Sequence, residues 1–554
     1  MIATYDSVNR YIEHWLGDLE LTHAAYKDEY IAALVRCTDQ YAIIPTPTIP
    51  FLRERRKYIL TGIGMLLARF LQPVLPTEDD SLQVPSSTWI GNRAELDLFE
   101  AGRLIYVLRI AGMERDGLVR CEEVGPGHYS ISKIIADTER FERADEEWVV
   151  NTNRSKTNSL RQELDKKIKD RLNSINILDY IEVESSGMAI KQFDWELFGL
   201  IRKQASLTWS EYNESRSFPD HAIIASRTFG EWREICLTAA TNLTMRLTYA
   251  AKARFEQVSG AEHLAKNTTQ FVNDEYASGL FQAGPDDTRG FNTGDVHNAF
   301  YIDFDDARRL CDEGEIPLPY GIRWKNGLII PMFGYIQNMS FGLLNYLRSK
   351  YNDDWQAMVD LREASLQTEL GELFEGTEQK FGKWNLDIKT PLGPTDTDGA
   401  IYEPGSNCLY IFQLKSPDVW AGNLSQRRSR LKNLAGANKW IRKLCSWIEQ
   451  TPKAQIASAL GLNNAVLDID AMKIRLFVLC EFDTRISAAE DIFDRDAAWV
   501  SWPRLQRLVL ECNFPERALE HAYNECAKLD DVQHVLSGKC SVFEFKNLRV
   551  DLYE

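Results

Sequence analysis

The sequence has no cysteine spacing that would hold a zinc ion or a disulfide framework. Its ten cysteines, at 37, 121, 236, 311, 408, 445, 480, 512, 526 and 540, include no Cys-x-x-Cys pair, so they read as isolated, mostly buried thiols. Eight histidines are equally dispersed. None has the spacing of helix-borne ligands, which leaves oxygen as the donor for any metal. Long apolar runs are also missing: the best candidate, "YILTGIGMLLARFL", meets Arg69, short of the ~18 to 20 residues a membrane span needs. The opening "MIATYDSVNR" has no basic-then-apolar leader pattern. A cytoplasmic protein with no membrane partner is expected. No Gly-x-x-x-x-Gly-Lys-Ser/Thr stretch occurs, which excludes a phosphate-cradling nucleotide motor of that kind. Positive charge is scarce, 64 Lys and Arg against 81 Asp and Glu for a net charge of −17. That balance argues against broad coating of nucleic acid and leaves room for local basic patches.

What is present is length and helical periodicity. At 554 residues the chain exceeds what one hydrophobic core usually organises, so two to four domains are expected. Apolar residues recur at three and four through most of residues 7 to 275, predicting helices. Two hairpins interrupt them, one turning on Gly125-Pro126-Gly127 and one on Ser186-Gly187, each after a helix. Helix followed by ribbon allows winged-helix-like modules. Lys166, Lys167, Lys169 and Arg171 read as a solvated helix face, because Glu163 and Asp165 stand four residues before Lys167 and Lys169 and Ser159 with Gln162 resembles a capping box. Prolines 317, 319 and 331 punctuate a stretch that follows a Gly- and Asp-rich segment. The expected division is a helical domain with hairpin at 1–135, a second at 136–315, a connection at 316–334 and an α/β domain with a central mixed sheet at 335–554.

The most informative stretch is "TDTDGAIYEPGSNCLYIFQLKSP", residues 395–417. Pro404-Gly405-Ser406-Asn407 is suitable turn chemistry for a hairpin loop. Glu403 then pairs with Cys408, and counting outward sets Asp398 opposite Gln413 and Asp396 opposite Lys415. Directly opposed residues lie about 4.5 to 5.5 Å apart at Cβ, and alternate residues share a face. A carboxylate and an amide oxygen so placed can ligate a hard divalent cation, Mg²⁺ or Mn²⁺, with lysine beside them to orient water or stabilise a phosphoryl transition state. The bland reading is a cross-strand salt bridge between Asp396 and Lys415.

Asp398, then fifteen residues on Gln413-Leu414-Lys415, resembles the core of the PD-(D/E)xK, or restriction-endonuclease-like, nuclease superfamily in its QxK variant. The family's sheet begins with a helix bearing a glutamate, followed by the aspartate strand, the ExK or QxK strand and another helix. The resemblance covers about 335 to 510. It implies Asp398 and Gln413 as metal ligands, Lys415 as the catalytic lysine and Glu375 as the helix glutamate, with Glu369 and Glu372 as alternatives. Asp396 is the alternative metal ligand, and Asn438 stands where many relatives carry glutamine. The implied activity is Mg²⁺-dependent hydrolysis of DNA, with RNA as an alternative substrate, in prokaryotic defence against phage. The implied partners are a second copy or a subunit of a defence complex. Gln413 replaces the commoner glutamate, so a nuclease-fold binding or assembly subunit without activity is the rival.

The following segment supports a nucleic-acid partner. Between Ser416 and Ser446 one acid, Asp418, faces Arg427, Arg428, Arg430, Lys432, Lys439, Arg442 and Lys443, enough to neutralise several phosphates. Trp420, Trp440 and Trp447 are interleaved, and either stack on bases or, the commoner use, pack in the core.

Overall fold

Helices that bury one face against one another account for most of the chain before residue 260. The computed structural model describes residues 3–43, 49–71, 88–117, 119–133, 138–184, 187–213, 218–259, 269–273, 277, 279–281, 299–312, 320–324, 327–336, 339–416, 424–481, 494–529 and 540–553. Helices Pro50–Phe70 and Thr88–Gly112 cross at Gly62 and Gly102. A Cβ at Gly102 would stand 2.0 Å from the Tyr58 carbonyl oxygen, so only glycine permits backbone to meet backbone there. No helix among the described residues is long and apolar enough to cross a membrane. None of the described cysteines is bridged; Cys37, Cys236, Cys408, Cys480 and Cys526 are buried and Cys540 is exposed.

The ribbon Val119–Gly125 with His128–Lys133 is not a free wing. The C-terminal strands Cys540–Phe545 and Leu548–Tyr553 join it in one four-stranded sheet, with Leu548–Tyr553 parallel to His128–Lys133 and Asp551 bonded to His128 at 2.9 Å. The second ribbon, Ile181–Glu184 with Gly187–Ile190, is two-stranded and lies by Ile177, Leu197 and Tyr249 in a small core of its own. The basic face at 166–171 is solvated as expected at Lys167, which meets Glu163 at 2.6 Å. Asp165 is held by Gln204 instead of Lys169, and Arg171 grips Asp194 at 2.6 Å. Ser159 and Gln162 lie inside the 37-residue helix Thr138–Ser174, so no capping box forms there. A capping box does form at Thr228 with Glu231, opening the helix Phe229–Phe255.

The described part of the Pro/Gly-rich stretch, 320–324 and 327–334, is core and not a connection. It holds the buried strands Gly321–Trp324 and Gly327–Ile330, central in a second four-stranded sheet. The helical core runs on through Leu343, Leu347 and Trp355 and takes in Phe543 and Val550 from the chain's last hairpin. Packing therefore parts at about residue 361, and residues 335–361 and 540–553 belong with the helices rather than with the expected 335–554 unit.

Beyond that point stands a five-stranded mixed sheet in the order Lys380–Phe381, Gly399–Glu403, Cys408–Lys415, Lys473–Cys480, Ala497–Ser501. The first three are antiparallel and the last two join in parallel. One face packs Ala400, Leu409, Ile411 and Val478 against Leu434, Trp440, Ile441 and Leu444 of the long helix Leu424–Gln450. The other packs Ile401, Tyr410, Phe412 and Leu414 against Leu366 and Leu370 of helix Val359–Leu373 and against Trp502, Leu505 and Leu519. Burial on both faces explains why 408–412 reads as an unbroken apolar run. The chain is thus a mixed α/β protein, largely helical, with several small sheets.

The hairpin loop is the expected one, with Glu403 paired to Cys408 and Asn407 at φ 49° closing the turn. Glu403 is fully buried. Its carboxylate accepts from Ser406 Oγ at 2.5 Å and from the backbone N–H groups of Leu519 at 2.7 Å and Glu520 at 3.2 Å, at the N-terminus of helix Ala518–Leu529, where a negative charge is favoured. Glu403→Ala is expected to lower unfolding free energy by about 2 to 3 kcal/mol, because those donors are left buried without an acceptor. Urea unfolding reads it directly, and a loss below about 0.5 kcal/mol contradicts the capping role.

Candidate active site

The hairpin register continues outward as the turn dictates. Gly399 pairs with Phe412, and the Asp398 backbone N–H donates to the Phe412 carbonyl at 3.1 Å, so Asp398 falls opposite Gln413. Asp398 follows the phase of Ala400 and Tyr402, and Gln413 and Lys415 follow that of Leu409 and Ile411, all on the face toward the long helix. The Asp398 carboxylate is bonded through Oδ2, which accepts from the Leu414 N–H at 2.5 Å and from Gln413 Nε2 at 2.5 Å. No hydrogen bond among the described residues reaches Oδ1. Gln413 is buried and turns its amide nitrogen to the aspartate, whereas the expected ligand role uses its oxygen.

Asp396 leaves the ribbon. Thr397, fully buried, sends its hydroxyl to the Phe412 carbonyl at 3.0 Å, and the chain bends at Asp398. Residues Gly393–Thr397 pair with Leu386–Thr390 instead, setting Asp396 opposite Asp387. The expected Asp396 to Lys415 pairing is absent for that reason. Asp396 is exposed and acts on Asp398 only through its charge, which pushes the Asp398 pKa up.

The helix acid is one that sequence reasoning missed. Glu363, in the first half of Val359–Leu373, accepts from the backbone N–H of Ser416 and shares the fields of Lys415 and Asp398. Burial, the largest influence, pushes its carboxyl pKa up, and the Lys415 ammonium pulls it down. Asp398 behaves the same way: burial raises it most, with the Leu414 N–H and Lys415 opposing, and the net shift is upward. Gln367, one turn beyond Glu363, donates to the Asp398 carbonyl. The 1.5 Å helical rise carries Glu369 about 9 Å and Glu372 about 13 Å along the axis from Glu363. Glu372 and Glu375 are exposed, Glu375 after the helix has ended. The expected choice of Glu375 is corrected on that ground. The signal was available: Glu363 interrupts the apolar stripe of Leu366 and Leu370 at i−3 and i−7.

Asn438 does not join the cluster; its Oδ1 accepts from the Asp494 N–H at 3.2 Å. On the long helix Lys432, Lys439 and Arg442 are exposed, Arg442 lying 3.8 Å from Asp494. Lys443 is half-buried and donates to the Pro394 carbonyl. Arg427, Arg428 and Arg430 are in the helix, with side chains outside the described residues, and Trp420 lies outside them altogether. Trp440 and Trp447 are buried in the core, Trp440 bonding the Asp396 carbonyl at 2.7 Å, so neither is placed to stack on a base.

No protein-family model, no curated protein and no solved structure matches the chain.

Among the described residues no group of three or more His, Cys, Asp or Glu could hold a metal ion. The cluster here has two carboxylates, Glu363 and Asp398, and the Gln413 amide. That set fits a hard cation that keeps several waters, as Mg²⁺ does, and among the described residues Asp398 Oδ1 accepts no hydrogen bond. Among the described residues Lys415 is the cation that pulls down both carboxyls, whose net shift is still upward, and a bound cation would add compensating positive charge. Chemically the cluster can hold an oxyanion between a lysine and a cation and withdraw a proton from water.

Proposed function

We propose that the chain is a divalent-cation-dependent nuclease that hydrolyses phosphodiester bonds, with Glu363, Asp398, Gln413 and Lys415 as its site on a restriction-endonuclease-like sheet. The observation that carries the reading is the convergence of Asp398, Gln413, Lys415 and Glu363, from three separate elements, at one end of the five-stranded sheet. The order of elements supports it: a helix bearing the acid, the aspartate strand, the Gln-x-Lys strand and a basic helix. Glu363 and Asp398 would hold Mg²⁺ or Mn²⁺, with the Gln413 amide completing the protein's share. The cation, when bound, lowers the pKa of water and neutralises charge on the phosphate. Lys415, whose field acts on both acids, orients the attacking water and stabilises the developing negative charge. Lys432, Lys439 and Arg442 would take the phosphates flanking the cut.

A second reading, a nucleic-acid-binding subunit that does not cut, is favoured by the Gln413 nitrogen resting on Asp398. One experiment separates the two. Supercoiled plasmid and a labelled RNA are incubated with wild type and Lys415→Ala in Mg²⁺ or Mn²⁺. Wild type is expected to cut and the variant to be slower by about 10²- to 10³-fold. Equal cutting by both defeats the nuclease assignment, and retention of DNA with no cutting by either selects the binding subunit.

A further inference from the structure

The site is tied together by an ion pair that touches none of its four members through a side chain. Arg362 and Glu481 meet at 2.5 Å with both side chains 2% exposed. Arg362 is the chain neighbour of Glu363. Glu481 follows the strand Lys473–Cys480, and its backbone N–H donates to the Lys415 carbonyl at 2.9 Å. Ser416, next after Lys415, hydrogen-bonds the Glu363 carboxylate through its own N–H. The links close a ring that runs from Glu363 to Ser416, through Lys415 to Glu481, across to Arg362 and back along the helix to Glu363.

As a stabilising device the pair is poor. It is a single contact, and among the described residues Arg362 Nε and Glu481 Oε1 are buried with no hydrogen-bond partner. A buried pair with unsatisfied atoms is worth less than well-packed apolar side chains of the same volume, so its presence points to something other than stability. The Arg362 guanidinium also lies 5.7 Å from the ring centres of both Phe218 and Trp355. Both rings belong to the helical core and meet edge to face, their centres 4.7 Å apart. Arg362 thus joins the helical body to the end of the sheet at which the site forms.

We infer that Arg362 and Glu481 are positioning residues, which hold Glu363 in register with Lys415 and brace that end of the sheet against the helical body. The functional half of this rests on the nuclease reading; the geometric half does not. The test uses the full chain with the double substitution Arg362→Met and Glu481→Met, which leaves no uncompensated buried charge. Amide hydrogen exchange is read at Ser416 and Glu481, and at Lys473, whose N–H bonds the Asn407 carbonyl at the far end of the same two strands at 3.0 Å. Exchange at Ser416 and Glu481 is expected to rise at least tenfold with Lys473 unchanged, and the kcat for plasmid with Mn²⁺ to fall about tenfold with KM unchanged. Exchange that stays at the wild-type rate at Ser416 and Glu481, or rises equally at Lys473, overturns the inference. Wild type that does not cut removes the nuclease reading, and the exchange data still decide whether the ring positions Glu363 and Lys415.

Discussion

A chain carrying Glu363→Gln together with Asp398→Asn is expected to cut no DNA and yet to melt at a higher temperature than wild type at pH 8. Both carboxyls are raised above their ordinary values, burial being the first cause in each. Folding therefore makes each group bind its proton more tightly than the unfolded chain does. The favourable contribution is complete below the unfolded carboxylate pKa of about 4 and is lost as pH rises through the higher folded value. Above that value both groups are charged while half-buried, a burden on the fold. Neutral amides remove the burden, and Asn at 398 still offers one oxygen to the Leu414 N–H. For a unit of 150 to 250 residues, 1 kcal/mol corresponds to about 2 to 4 °C, so a rise of a few degrees is the expected scale. Calorimetry at pH 8 and pH 5 reads the sign: the gain is larger at pH 8. Millimolar Mn²⁺ is expected to raise the wild-type Tm and leave the variant unmoved, since only a ligand of the folded state shifts the transition. A variant that melts below wild type at pH 8 contradicts this electrostatic account.

Arg362→Met alone is expected to be the most destabilising of the substitutions considered, by about 3 to 5 kcal/mol, because it strands Glu481 as an uncompensated charge. Glu481 is 3% exposed, so water cannot reach it to replace the guanidinium. Glu481→Met strands Arg362 in the same way, although the Phe218 and Trp355 rings beside the guanidinium soften that loss through cation–π attraction. The double substitution restores most of the stability, so the coupling in a double-mutant cycle is large and of opposite sign to the single losses. Urea midpoints at constant slope measure all three. Single losses under about 1 kcal/mol mean that the pair is solvated in the folded state, contrary to its burial.

The sequence was readable where local chemistry decides the outcome. Pro404-Gly405-Ser406-Asn407 closes its loop on Glu403 and Cys408, and that turn carries the register as far as Asp398 and Gln413. It fails one step further, where the chain bends at Asp398, the Thr397 hydroxyl is bonded to the Phe412 carbonyl, and Gly393–Thr397 pairs antiparallel with Leu386–Thr390. A competing partner at that distance leaves no local mark. The expected helix acid is Glu375 because it follows the apolar Phe374, with Glu369, nearer the apolar stripe of Leu366 and Leu370, as an alternative. The N-terminal half of the helix is the part beside the strand ends, so the acid that interrupts the apolar stripe, Glu363, is the one brought in. Trp440 and Trp447 follow the core use of tryptophan. Packing of the 320–330 strands and of the last hairpin rests on partners far off in sequence, and proline and glycine content reports local bends without reporting such partners.

The C-terminal hairpin also fixes the order in which the molecule can be finished. Strand His128–Lys133 gains its parallel neighbour only from Leu548–Tyr553, made about four hundred residues later. At ribosomal rates of about 5 to 20 residues per second, that is roughly 20 to 80 seconds with one strand edge open. The helical body, first to leave the ribosome, is last to be sealed. By then the five-stranded sheet has had time to fold, so a chain cut short before residue 540 would present a formed sheet beside an unguarded edge, open to another chain's backbone.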